Sequence, residues 1–318
     1  MEIKQYAPVI IPTLNRYGHF KRCIDSLERC TGADKTDVYV GLDYPPSEKY
    51  VEGWEKIDAF LAEKEKHNRF KNLYVRRRDH NCGIGKVGSN IHLLRLEVEE
   101  LYDTYIMSED DNEFSPNFLE YINYGLMVYR NRKDVMAITG FLFPEVSYNK
   151  NANAYLSSFS NAYGTGYWTE KKFDFSKKGS KAFVDEVLSS WKLSWNLYKK
   201  RAASLNGMLS MHFRGIYYGD VLKTAELILK NRYSLFPAIS KVRNWGHDGT
   251  GEHCSITNKY IKQAIDENKT FENPAITVTI DIAKKLDFSI FKRIAVIVRY
   301  IGFRLTGKDW FNFYWKNQ

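Results

Sequence analysis

The sequence predicts an α/β protein with a mostly parallel central sheet, helices on both of its faces and a helical C-terminal appendage. Two observations carry the sheet. From residue 8 to about 140 short apolar runs alternate with stretches of helical periodicity, the order that builds parallel sheets. Several of those runs also stop at polar groups, namely Thr13 to Arg16, Asp43 and Glu109-Asp110-Asp111, and ligands gather at the carboxyl edge of such sheets. The appendage is read from an amphipathic stretch near the end of the chain.

The elements follow in order. Residues 8–13 form an apolar strand closed by Pro12, and Phe20, Cys23, Ile24 and Leu27 recur at helical spacing. A second strand over 38–42 stops at Asp43 and the Pro45-Pro46 turn. A charged helix with Trp54, Ile57 and Leu61 on one side comes next, then a strand at 73–75. Val87, Ile91, Leu94, Val98 and Leu101 mark the inner face of another helix, and the strand at 105–107 runs into the acidic triplet. Ser115-Pro116 reads as an N-cap with proline at the first helical position, ahead of the buried side Phe118, Ile122, Leu126 and Tyr129. Residues 135–139 are a further strand. Between 140 and 255 aromatics, Gly and Ser are frequent, with a helix expected over 220–230. Beyond Ile256 we expect a polar helix, strand-like alternation over 276–281, and an apolar, basic helix over 288–305.

With 44% hydrophobic and 27% charged residues, the composition is that of a globular protein rather than a disordered one. A formal net charge of +9 suits anionic partners. Lys292, Arg293, Arg299 and Arg304 interrupt the last apolar stretch and rule against a bilayer span. They permit a helix lying on an anionic membrane surface, anchored by Trp310, Phe311, Phe313, Tyr314 and Trp315, or else a helix packed on the rest of the chain. The first residues lack the apolar core and cleavage site of a signal peptide, so a cytoplasmic protein is expected, peripheral at the inner face of the membrane if that helix binds lipid. Cys23, Cys30, Cys82 and Cys254 show no CxxC pairing, which argues against zinc and against disulfides.

A strand that delivers Glu109, Asp110 and Asp111 into a loop supplies hard oxygen ligands for a divalent cation, Mn2+ or Mg2+. Adjacent carboxylates on a buried edge repel one another unless a cation or hydroxyl donors compensate. The competing reading is an exposed acidic turn.

Asn15-Arg16 before Arg22-Cys23-Ile24-Asp25-Ser26-Leu27, Asp43 ending a strand, and Glu109-Asp110-Asp111 followed by Phe114-Ser115-Pro116-Asn117-Phe118 together resemble the GT-A glycosyltransferases. The likeness is to the N-acetylglucosaminyltransferase that starts complex N-glycans and to bacterial family-two-like transferases of surface polysaccharide, and it covers residues 8 to about 255. It implies a transferase domain over 1–255, with a nucleotide-sugar half at 1–140 and an acceptor half at 141–255, followed by the extension 256–318. It also implies an inverting, metal-dependent enzyme that moves a hexose or N-acetylhexosamine from a nucleotide diphosphate, UDP before GDP, to a glycan or lipid-linked acceptor. By the resemblance Asp111 binds the metal, Glu109 and Asp110 face the donor sugar and ribose, and Asp43 and Arg16 lie at the base, with Thr13 and Asn15 on the same edge. Lys86, in the Gly-containing loop, is assigned to phosphate, and His253 to the diphosphate or the metal shell. Gly166, Tyr167 and Trp168 are assigned to the acceptor pocket. Asp220 is the expected general base, with Asp185, Glu186, Asp248 and Glu252 as rivals. Other readings are a GT-A domain that only binds sugar or membrane, a nucleotidyltransferase, for which no triphosphate loop is found, and a basic nucleic-acid-binding protein supported by Arg76-Arg77-Arg78. The last leaves the acidic triplet unexplained, and no nucleic-acid partner is expected.

Overall fold

The structure is a computed structural model that describes residues 3, 5–83, 88–146, 152–171, 173, 177–250, 256–271 and 277–310. In chain order the elements are β1 (Val9–Thr13), α1 (Tyr17–Glu28), β2 (Asp37–Leu42), α2 (Val51–Lys64), β3 (Asn72–Arg77), α3 (Asn90–Leu101), β4 (Thr104–Met107), β5 (Asn112–Phe114), α4 (Phe118–Val128), β6 (Val135–Thr139), β7 (Ala154–Ser157), β8 (Thr165–Trp168), α5 (Lys177–Ser189), α6 (Trp191–Lys200), α7 (Ala202–Arg214), α8 (Gly219–Leu229), β9 (Tyr233–Pro237), β10 (Val242–Asn244), β11 (Thr277–Thr279), α9 (Ile282–Lys285) and α10 (Ile290–Thr306). They fall into two compact units. One comprises Met1–Leu156, Asn161–Lys172 and Ser234–Thr279, the other Ser157–Ser160, Phe173–Tyr233 and Ile280–Gln318.

The first unit is the expected α/β layer. Its sheet runs β11-β7-β9-β6-β8-β4-β1-β2-β3. β1 pairs in parallel with β2 and β4, β2 with β3, and β7 with β11, while β8 runs antiparallel between β4 and β6. Because β1, β2 and β4 are parallel neighbours, Thr13, Asp43 and the acidic triplet reach one edge. On one face Ile10, Tyr39, Tyr105 and Tyr167 pack with Leu94 and Val98 of α3. Gly41 lets α3 lie directly on β2, since a Cβ there would stand 2.3 Å from Asn90 Oδ1, and the Asn90 amide donates to the Gly41 carbonyl at 2.7 Å. On the other face a Cβ at Gly166 would meet Ile122 of α4 at 2.6 Å. Trp168 also faces α4, its Nε1 donating to the Leu126 carbonyl at 3.0 Å. Lys171 lies over that indole at 3.7 Å and donates to the carbonyls of Tyr129, Arg132 and Val135.

β11 joins the large sheet through β7, and residues 173–233 group with the C-terminal helices. Several expectations about single elements need correction. The 115–129 helix begins at Phe118 with Asn117 at its N-cap, because Ser115 instead closes a turn, its carbonyl accepting from the Phe118 N–H at 3.1 Å and its hydroxyl donating to Asn117 Oδ1 at 2.9 Å. Residues 256–271 form turns rather than a helix. Leu101 is not on the inner face of α3; it is 65% exposed, since the helix ends there and Tyr102 turns into the next strand.

The second unit is helical. α7 is its centre, with Ala202, Leu205, Met208, Leu209 and Met211 buried. Asp287 accepts from the first N–H groups of α7, Ala202 at 3.1 Å and Ala203 at 2.9 Å, a favourable place for a carboxylate. No described helix in either unit is long and apolar enough to cross a membrane. Cys23, Cys30 and Cys82 are buried free thiols.

Ile106, fully buried at the centre of β4, and Leu101 provide a test of the sheet and of the α3 register. We expect Ile106→Ala to cost about 3 kcal/mol and Leu101→Glu less than about 0.5 kcal/mol in urea unfolding.

Candidate functional site

Three adjacent strand ends are joined by hydrogen bonds. The Asp43 N–H donates to the Thr13 carbonyl at 2.9 Å, and the Thr13 hydroxyl donates to Asp110 Oδ2 at 3.0 Å. Asp110 and Asp111 are both buried where the chain leaves β4. Arg16, from the loop between β1 and α1, lies against both: its Nη2 bonds Asp110 Oδ1 and reaches Asp111 Oδ2 at 2.8 Å. Burial pushes the Asp110 carboxyl above the ordinary range, with Arg16 opposing the shift and Asp111 adding to it. The exposed acidic turn is therefore excluded.

A second strand pair completes the corner. β5 carries the chain away from the acidic triplet and pairs antiparallel with β10, Asn112 opposite Asn244. Asn244 donates to Asp111 Oδ1 at 2.6 Å and to Asn112 Oδ1 at 3.0 Å. The Trp245 N–H donates to the Asp111 carbonyl at 2.9 Å, its Nε1 to Glu113 at 2.9 Å, and Arg22 of α1 lies 4.1 Å over its ring. Gly246 passes so near that a Cβ would stand 2.1 Å from Asp111 Oδ2. The next turn is tied to α1 by His19 Nε2 and Asp248 at 2.9 Å. Burial raises the Asp248 carboxyl, but bonds from Thr250 and His19 outweigh it and bring its pKa down to about 2.

The remaining expected residues are placed as follows. Asp43 is buried, and its Oδ1 accepts from the N–H groups of Tyr44 at 3.0 Å and Cys82 at 2.9 Å, so it ties Cys82 to the end of β2. Asn15 is half-buried; its carbonyl accepts from Tyr17 at 3.0 Å, and a Cβ at Gly53 of α2 would stand 2.1 Å from that oxygen. Glu109 is half-buried beside the pair. Arg16, expected beside the base, has its guanidinium at the two carboxylates. Gly166, Tyr167 and Trp168, expected at the acceptor, are buried in β8, where the two side chains pack into the core. Asp220 is exposed in the first turn of α8, in the second unit. Lys86 and His253 lie outside the described residues. Arg76, Arg77 and Arg78 are committed to Glu97, to Asp58 and Glu65, and to Asn90.

No protein-family model matches the sequence, and no curated protein does. Among solved structures the chain is similar to the mannosyltransferase PcManGT from Pyrobaculum calidifontis in complex with GDP-Man and Mn2+, at 12% identity over 70% of this chain and 69% of that one, with a TM-score of 0.39. It is similar to S. aureus TarS 1-349 at 12% identity, 96% and 76% coverage and a TM-score of 0.40. Against S. aureus TarS the values are 13% identity, 52% of this chain and a TM-score of 0.33, and the match spans only 28% of that chain.

Asn112, Asn244, Trp245 and His19 are members of the corner to which sequence reasoning assigned no role there. Among the described residues no three His, Cys, Asp or Glu side chains are gathered to hold a metal. The donor set nevertheless fits a hard divalent ion: two neighbouring carboxylates with the amide oxygens of Asn112 and Asn244 close by. A positive guanidinium already bonded to both carboxylates marks the corner as one that favours cations.

Asp110 has a raised folded pKa, so the stability it contributes is present below its ordinary value of 3.8 and is lost as pH rises through the folded value. Arg16→Met removes the opposing charge and strengthens that dependence. Thermal or urea unfolding is expected to show a small loss near pH 4 and a loss of about 3–5 kcal/mol near pH 7.

Proposed function

We propose that this chain is an inverting GT-A glycosyltransferase that moves a sugar from a nucleotide diphosphate, UDP-linked before GDP-linked, to a hydroxyl of a glycan or lipid-linked acceptor. The observation that carries the reading is the buried Asp110–Asp111 pair at the carboxyl edge of a parallel sheet, hydrogen-bonded through Thr13 to the neighbouring strand end at Asp43. That is where an α/β sheet receives a nucleotide, and the pair is built to meet positive charge.

In this reading Asp111, with Asp110 beside it, would hold Mn2+ or Mg2+, which neutralises charge on the departing diphosphate. Asp43 accepts a hydrogen bond from the base, since an ionised carboxylate can only accept; N3–H of uracil and the donors of guanine both satisfy it. Thr13 and Arg16 hold the carboxylates in place. Asp220 takes the proton of the acceptor hydroxyl as its oxygen attacks the anomeric carbon, while the bond to the diphosphate breaks with its electron pair. Two rivals are poor bases because donors already lower their pKa: Asp185 is bonded by Lys181 and His212, and Asp248 by Thr250 and His19. A peripheral position at the inner membrane face would bring the enzyme to lipid-linked acceptors.

Thermal melting against a panel of UDP- and GDP-sugars, with and without Mn2+, tests the donor site. One donor should stabilise the chain by about 2.7 kcal/mol at a hundredfold excess over its Kd, and more with the metal than without it; a panel with no response would refute the reading. Asp111→Asn should abolish both transfer and the metal-dependent part of the shift. Asp220→Asn should keep the donor-dependent shift and lose transfer by about a hundredfold or more, and undiminished turnover would assign the base elsewhere.

A further inference from the structure

A helix on a protein surface ordinarily turns its charges outward and its apolar residues inward. α10 buries Val296 and Tyr300 but carries apolar residues on its outer face as well, and draws its arginines inward. Its exposed positions are Ile290, Phe291, Ile294, Val298, Ile301 and Leu305, with Thr306 the only polar one among them. Phe291 keeps 80% and Leu305 75% of its surface. At intervals of three or four residues these side chains form a single stripe about 22 Å long at the helical rise.

The arginines point the other way. Arg299 is buried: it forks onto Asp309 at 2.8 and 2.7 Å and donates to Asn206 Oδ1 at 2.7 Å and Ser210 at 3.1 Å. Arg293 pairs with Asp287, and Arg304 donates to the Leu188 carbonyl at 2.8 Å. On the packed side Phe303 meets Phe213 of α7 edge-on, with ring centres 5.5 Å apart. Burying a guanidinium costs several kcal/mol unless it is fully bonded. The inward arginines are therefore held by named partners and are not a loose end of the fold, and an apolar stripe of this size left in water marks an interaction surface.

We propose that this face docks on an anionic lipid bilayer, with α10 lying in the plane of the interface and its stripe at the boundary of headgroups and acyl chains. Charge selects that occupant. α10 contains no Asp or Glu, Lys284, Lys285 and Lys308 are exposed just beyond its two ends, and the whole chain carries +9. Trp310, 54% exposed after the helix, supplies an aromatic ring suited to the headgroup level. A second copy of the chain would bring the lysines of two molecules together, and a like-charged contact opposes association.

The test is co-sedimentation of the full chain with vesicles of phosphatidylglycerol and phosphatidylcholine, against phosphatidylcholine alone, at rising salt. Binding is expected to require the anionic lipid and to weaken with salt. Ile294→Glu with Ile301→Glu should lower partitioning about tenfold or more with the melting temperature unchanged, because both side chains are exposed; Lys284→Glu with Lys285→Glu should reduce the preference for anionic lipid. The proposal is overturned if the wild type pellets with neither vesicle, if it binds both equally, or if light scattering shows a dimer that the double glutamate variant dissolves. Nucleotide-sugar melting shifts are read separately, so loss of the transferase reading leaves this outcome intact.

Discussion

Two neighbouring carboxylates buried at the end of one strand constrain everything around them. Asp110 and Asp111 cannot both remain ionised in a dry corner without donors, and the fold brings those donors from far apart in the chain: Arg16 and Thr13 from the first strand and its loop, Asn244 from β10. The close approach of Gly246 to Asp111 follows from the same requirement, since the backbone that carries Asn244 must pass against the carboxylate it serves. The local chemistry is cation-seeking by construction.

The aromatic content is divided between two tasks. In the first unit Tyr39, Tyr105, Tyr167 and Trp168 fill the two faces of the sheet, and the reversed strand β8 serves as packing. In the second unit Trp310 and Phe291 remain in water beside a helix whose charges have been drawn inward. The composition is alike in both places. Burial decides whether such rings are core or contact surface.

Much of the first unit was legible before any coordinates. Strands over 9–13, 37–42, 104–107 and 135–139, and the buried sides of α1 and α4, repeat locally with periods that side-chain geometry dictates. Errors fell where a longer-range contact overrides the period. Leu101 continues the helical spacing but stands at the end of α3, where the chain turns toward β4. Ser115 has the chemistry of a cap and spends it on Asn117. The place of β8 between β4 and β6, a partnership about sixty residues long on one side, is likewise something no local pattern reveals.

What the sequence by itself determined is the alternation of elements and the arrival of Thr13, Asp43 and the acidic triplet at strand ends, because period and turn chemistry act over a few residues. Tertiary structure alone decided that Arg16 meets the carboxylates, that Asn244 and Gly246 join them, and that α10 leaves an apolar stripe facing outward. Those outcomes depend on which distant groups share a buried corner, and the cost of burying charge without a partner is settled only when the whole chain has packed.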